Sequence, residues 1–502
     1  MSNRRKATQS VAMISTFTLI SKFLGFIREV LTATKYGSGY ETDTYFVAMT
    51  ATVILMTTIG AALNTTLIPI FTEIGERRGR VGKLRFLNTI LNMVFLVTLI
   101  LAILGFFLSP LTIKILAKGF TGDQLDLAIR LNRIGLPIVI FLGFTYVFSG
   151  YLHSGQIFGP PAIMGLPYNA IFILFLVIWG GKENVEYLML ASVAAAATQF
   201  LIQVPAIRHQ GYRYSFNVDL QDPYLNQVFR LVIPVMIGSA VQQINTIVDR
   251  TLASSLATGS ISALTYASRM NDLIISVFVM AITTVVFPVL SKAFAQGDRD
   301  KVKGIMAKGI NIILFITVPA TIGIIILAEP IVRLFFQRGA FDRLATSMTA
   351  SALIFYSIGL IGSSLRLMLN RVYYSFQDTK TPMMNGGLAV GLNIILNLIL
   401  MKPMGHSGLA LATSISATFT TILLFTGLRK RLGSIGLISY IGSFTKTLFA
   451  SIIMGALVYV IFYGLTPKLP DYRIVEPIML FFSIGIGALS YFILCFALKV
   501  NR

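Results

Sequence analysis

Ser21-Lys22-Phe23-Leu24-Gly25-Phe26-Ile27-Arg28-Glu29 sets three full charges inside the first long apolar run of the chain. A charged side chain at bilayer depth costs from about 3 to more than 10 kcal/mol, depending on the reference state. Residues placed there at such cost face water, a partner or a substrate, so the stretch marks a membrane span and a functional candidate together. On an ideal helix, at roughly 100° per residue, Lys22, Gly25, Arg28 and Glu29 fall within an arc of about 120° and look into one cavity. The plain alternative is that Glu29 neutralises Lys22 or Arg28 locally and the set only holds helices together.

The surroundings agree with a span. Of the 502 residues 55% are hydrophobic and 12% charged, with a mean hydropathy of +0.78, whereas about a quarter of the residues in a soluble domain are charged. The chain therefore reads as an all-α polytopic membrane protein. Its net charge of +21 does not point to nucleic acid, because the basic residues cluster in short links between apolar runs. The one cysteine, Cys495, excludes an intramolecular disulfide, and His153, His209 and His406 lie too far apart for a metal-enzyme constellation. Arg4, Arg5 and Lys6 before the first run resemble the start of a signal peptide, but no small-residue cleavage site follows. The first span is expected to be retained.

A span needs roughly 20 apolar residues, which divides the chain into fourteen segments, the first at 10–35 and the last at 477–499. An even number puts both termini on one side. The links on that side carry Arg77, Arg78, Arg80, Lys83, Arg85, Arg208, Arg213, Lys292, Arg299, Arg429, Lys430 and Arg431, so both termini are expected in the cytoplasm.

The chain also repeats itself. At an offset of 221 residues Thr44, Tyr45 and Met49 recur as Thr265, Tyr266 and Met270, and Ser154, Gln156, Pro161 and Gly165 recur as Ser375, Gln377, Pro382 and Gly386. One offset holding in two separated places implies two homologous six-helix lobes, 1–215 and 216–432, followed by two appended helices in 433–502. Matched helices run the same way, so the lobes should be related by an axis along the membrane normal.

Further polar residues fall inside apolar segments. The seventh segment carries Gln242, Asn245 and Asp249 on one stripe, followed by Arg250; in the repeat Asp249 takes the place of Arg28 and Arg250 that of Glu29. The eighth supplies Arg269, with Asp272 one turn on as its plain partner, and the tenth supplies Arg366. The embedded charge is net positive and suits an anion; arginine's planar fork reads phosphate, while Lys22 is a looser point charge. Asp43 at the start of the second segment either belongs to this set or caps its helix from the outer surface. Asn393, Asn397, Thr413 and Ser414, with Asp249, are either an oxygen-only set for Na⁺ or hydrogen-bond partners between helices. The chain holds no Gly-x-x-x-x-Gly-Lys-Ser/Thr motif for phosphates, which argues against direct ATP use.

The opening stretch, Thr42-Asp43-Thr44-Tyr45-Phe46, Val286-Phe287-Pro288-Val289-Leu290-Ser291, Gly339-Ala340-Phe341-Asp342 and Tyr374-Ser375-Phe376-Gln377-Asp378-Thr379-Lys380-Thr381-Pro382 together resemble the MurJ (MviN) lipid II flippases. These belong to the multidrug/oligosaccharidyl-lipid/polysaccharide exporter superfamily, and the resemblance covers nearly the whole chain. It implies a transporter, not an enzyme, that moves the undecaprenyl-pyrophosphate-linked peptidoglycan precursor from the cytoplasmic to the outer leaflet by alternating access. The drive would be membrane potential, an ion gradient or both, in the cell membrane among its lipids, with cell-wall synthesis proteins as further partners.

By motif position the resemblance puts Lys22, Arg28, Glu29 and Arg269 on the central cavity, to which the embedded charges Asp43, Arg250 and Arg366 add. It puts Na⁺ as a coupling ion on Asp249, Asn393, Asn397 and Thr413, and a lipid-tail groove on the last two helices. The chain departs from the family at several positions: Lys22 stands where many relatives have Arg, Glu29 where many have Asp, and 53–60 lacks an Arg and a Glu that some carry. Asn397 replaces an acid seen in some ion-binding members. The rival readings are a flippase for another polyprenyl-linked oligosaccharide, a drug/cation antiporter and a non-transporting cell-wall scaffold. The basic charge of Lys22, Arg28 and Arg269 disfavours a cation pump.

Overall fold

The structure, a computed structural model, describes residues 2–181, 185–216, 219, 221–469 and 474–500, with side chains from residue 16 onward except at 55, 237–238 and 241–242. Gln242 thus has its side chain outside the described residues. Among the described residues the secondary structure is helical, with no strand. The chain packs as two compact units, Met1–Ser262 and Ala263–Arg502.

The first unit holds α1 (Ser2–Tyr36), α2 (Tyr40–Leu116), α3 (Gly122–Gly135), α4 (Pro137–Ser154), α5 (Gly159–Ile163), α6 (Gly165–Trp179), α7 (Val185–Leu201), α8 (Val204–His209) and α9 (Pro223–Ser254). It ends in the first turn of α10 (Ser260–Ile274). A π-helical turn, Ile275–Val279, and α11 (Met280–Ala295) continue that helix in the second unit. There follow α12 (Arg299–Phe336), α13 (Arg343–Ile358), α14 (Leu360–Ser375), α15 (Lys380–Met404), α16 (His406–Leu432), α17 (Leu437–Leu465) and α18 (Val475–Ala497).

Among the described residues ten helices are long and apolar enough to cross a membrane, and α13 with α14, bent by 45°, makes an eleventh if the pair is one span. α2 counts once among the ten, yet Gly79 at φ +66° breaks it into two helices; only glycine takes that conformation without strain. With that second half, and with α1 and α9, the helical bodies among the described residues number fourteen, consistent with the sequence expectation.

Local geometry repeats at the offset found in the sequence. α3 and α13 begin at Gly122 and Arg343, α4 and α14 end at Ser154 and Ser375, and α5 and α15 begin at Gly159 and Lys380, each pair 221 residues apart. Packing follows a different boundary. Tyr224, Leu225, Val228 and Val232 of α9 are buried with Phe71, Phe86, Leu87 and Tyr151 of the first unit, although the repeat assigns α9 to the second lobe. The ring of Tyr224 meets Phe86 edge-on at 6.2 Å.

In the second unit α17 and α18 pack on α12. The Tyr491 hydroxyl donates to the Phe315 carbonyl at 2.8 Å and that of Tyr463 to the Ile326 carbonyl at 3.1 Å. Gly455 permits the approach, since a Cβ there would lie 2.6 Å from Ile326 Cδ1. The other face of α18 exposes Phe481, Phe482, Leu489, Phe492, Ile493 and Phe496, a surface suited to lipid.

Candidate functional site

The charged arc of α1 divides within the first unit. Lys22 opens into a cavity of about 540 Å³ whose polar lining includes Ser21, Asn64, Ser149, His153 and Gln199. Among the described residues it forms no ion pair. Arg28 and Glu29 do not line that cavity. Arg28 Nη2 donates to Glu29 Oε1 at 2.8 Å, with the two side chains 19% and 8% exposed. Neighbours in sequence leave a helix roughly 100° apart, so this contact requires the long arginine to fold back. Ring faces of α6 hold it there, with the guanidinium 5.4 Å from the Tyr168 centroid and 5.2 Å from that of Phe172. Gly165 lets α6 come close to α1, since a Cβ there would lie 2.0 Å from Ser21 Oγ, and the Asn169 amide donates to the Ser21 and Gly165 carbonyls. The local pairing that the sequence left as an alternative is thus present for Arg28, and the aromatic cushion carried no sequence signal beyond ordinary apolar residues.

Asp43 and Arg250 meet at another place, the turn that opens α10. Asp43 is 3% exposed; its Oδ2 accepts from the Gly259 amide at 2.7 Å, and its Oδ1 accepts from the amide of Ser262 at 2.7 Å and its hydroxyl at 2.6 Å. It therefore caps α10 and not its own helix, because the amides at a helix start carry partial positive charge and lack partners within the helix. Arg250 donates to the carbonyl of Ile261 at 3.4 Å, in the same turn. Ser38 adds hydrogen bonds to the Gly259 carbonyl and the Ser262 hydroxyl.

Asp249 accepts from the Asn245 amide at 3.1 Å, so the stripe read from spacing on α9 is a contact. In the second unit Asn397 donates to Asn393 Oδ1 at 2.9 Å and Asn393 to Thr413 Oγ1 at 3.4 Å, with both asparagines buried. Within the second unit these amide and hydroxyl oxygens form a buried polar cluster of oxygen donors. Arg269 is exposed on α10, and Arg366 is half-buried on α14.

A sequence model of the family described as "Lipid II flippase MurJ" matches residues 32–474. The chain belongs to that family. A probable lipid II flippase MurJ from Vibrio cholerae is 31% identical over 84% of this chain and 83% of its own length. The lipid II flippase MurJ of Burkholderia cenocepacia is 27% identical over 84% of each. Among solved structures, a lipid II flippase MurJ in an inward closed conformation superposes with a TM-score of 0.80 at 27% identity, covering 98% of this chain and 100% of that one. An inward-facing multidrug-resistance MATE transporter of the MOP superfamily shares the fold at a TM-score of 0.70 and 14% identity, over 85% of this chain and 98% of its own.

Proposed function

We propose that this protein carries lipid II, the polyprenyl-linked peptidoglycan precursor, from the cytoplasmic to the outer leaflet by alternating access. The observation that carries this reading is the family match over residues 32–474. The physical task is to bring a multiply anionic headgroup across about 30 Å of hydrocarbon. Lys22, open to a polar cavity, supplies a cation and neutral donors that replace lost hydration. Arg28, Arg269 and Arg366 add positive charge, with Arg28 presented on an aromatic cushion. The polyprenyl tail stays in the bilayer, on a groove formed by α17 and α18.

Both termini lie in the cytoplasm in this reading, following the basic links, and cell-wall synthesis proteins are neighbours. A positive charge moving inward gains about 2.3 kcal/mol per 100 mV, so Na⁺ entry through Asp249, Asn393, Asn397 and Thr413, or return of the empty cationic site, drives the cycle.

The test is the purified protein in vesicles carrying labelled lipid II, with voltage and Na⁺ gradient imposed separately. Protein-dependent exposure of lipid II on the far leaflet is expected. Static lipid II alongside movement of a different polyprenyl-linked oligosaccharide would transfer the assignment to that substrate.

A further inference from the structure

A second cavity of the first unit, about 730 Å³, lies apart from Lys22, between the second half of α2, α4 and the α7–α8 segment. Its size falls in the roughly 300–1,000 Å³ range of small-ligand sites. Its walls are a ladder of rings: Phe95 stacks on Phe144 at 5.9 Å, Phe144 meets Phe200 at 5.2 Å, Phe200 stacks on Phe148 at 5.1 Å, and Phe148 meets Tyr212 at 6.2 Å.

The mouth is built by the strap Tyr212-Arg213-Tyr214-Ser215-Phe216, which leaves α8 just beyond the end of a membrane-length segment at His209. Two buried asparagines one turn apart on α2 pin it. Asn88 Oδ1 accepts from the Tyr212 hydroxyl at 2.7 Å and the Ser215 amide at 3.2 Å, and Asn92 Oδ1 accepts from the Tyr214 hydroxyl at 2.8 Å. Their amide nitrogens donate to the carbonyls of Arg213 and Ser215 at 3.2 and 3.1 Å.

These bonds occupy the neutral polar groups of the mouth. What the lining still offers a ligand is two guanidiniums, Arg208 and Arg213, both exposed and, among the described residues, in no ion pair. Exposed Tyr214 and Phe216 beside them are the residue types that gather at headgroup depth. An apolar interior with a doubly cationic lip, at the end of a span, is complementary to an anionic amphiphile and to neither a sugar nor a free cation.

We propose that this cavity holds one anionic phospholipid of the surrounding bilayer, an acyl chain among the phenylalanines and the phosphate on Arg208 and Arg213. The site is independent of the transport reading, since none of its residues belongs to the transport set.

The test uses the full chain in mild detergent, with dioleoyl phosphatidylglycerol, dioleoyl phosphatidylcholine and inorganic phosphate as separate probes. Native mass spectrometry counts adducts and thermal unfolding reads stabilisation. One phosphatidylglycerol per chain is expected, at least ten-fold tighter than phosphatidylcholine and weakened by salt. The double variant Arg208→Gln/Arg213→Gln, on exposed positions that leave the fold intact, should lose that ten-fold preference, and Val204→Trp, which fills the interior, should lose both lipids. Equal phosphatidylglycerol retention by the double variant overturns the proposal. So does stabilisation by inorganic phosphate without any lipid adduct, or a dimer that forms on this face in place of a lipid.

Discussion

Gln156 and Gln377, 221 residues apart, hold the same rare backbone: φ is +59° at one and +58° at the other. Each ends a span in the same way. Ile157 N donates to the Leu152 carbonyl and Asp378 N to the Tyr373 carbonyl, while Ser154 and Ser375 bond back to the carbonyls three residues earlier. Residues other than glycine pay roughly 1–2 kcal/mol in that region. Gln156→Gly and Gln377→Gly should each raise stability by up to about 1 kcal/mol, and the β-branched Gln377→Val should lower it by a similar amount. Unfolding midpoints in detergent read the difference, and glycine variants less stable than the parent would contradict the strain.

Arg28→Ala removes the arginine that pairs with buried Glu29, a loss worth up to about 3–5 kcal/mol. The single variant should fail to support growth in cells depleted of their own flippase and should accumulate poorly in the membrane. Arg28→Ala/Glu29→Ala should recover protein level and still not support growth. Full growth of the double variant would remove Arg28 from the transport set.

Asp43→Asn replaces two accepting oxygens by one, so an amide of the α10 turn loses its acceptor, at about 1–3 kcal/mol. Hydrogen exchange at one of the two amides, Gly259 or Ser262, should speed up at least ten-fold, with α4 and α16 unaffected. Unchanged exchange at both amides would show that the cap contributes nothing.

Asp249→Asn should abolish any Na⁺ dependence of lipid II movement in vesicles while leaving the voltage dependence. An unaltered Na⁺ response in this variant would place the coupling ion elsewhere.

In the link between α14 and α15, hydrogen bonds from the Thr381 amide and hydroxyl, with Arg431 at 2.7 Å, hold the Asp378 carboxyl below its ordinary range. A depressed folded pKa stabilises the fold above the unfolded value, near 4, and that contribution is lost as pH falls through the folded value. Stability should therefore decline as pH drops below about 4, and Asp378→Asn should flatten that part of the profile. Parallel curves for parent and variant would rule this out.

The helical membrane class was legible because it is written in local pattern, apolar length and basic links, and the paired turn residues at an offset of 221 recur as paired helix ends. Tertiary partners were not. Asp43 finds its donors 216 and 219 residues away, in a turn whose sequence carries no mark of a missing acceptor. Helical periodicity put Lys22, Arg28 and Glu29 on one arc but says nothing of a long guanidinium folding back, since that depends on rings of α6 that look like ordinary span residues. The same holds for Phe144, Phe148 and Phe200, whose cavity exists only once three segments pack.

The Arg28–Glu29 pair has a consequence for selectivity. An arginine with a carboxylate already 2.8 Å away is an occupied receptor, and any incoming anion must out-compete an internal one. If Arg28 meets the headgroup as proposed, chloride and other small singly charged anions gain little by that exchange, whereas a pyrophosphate brings more charge to compete with Glu29.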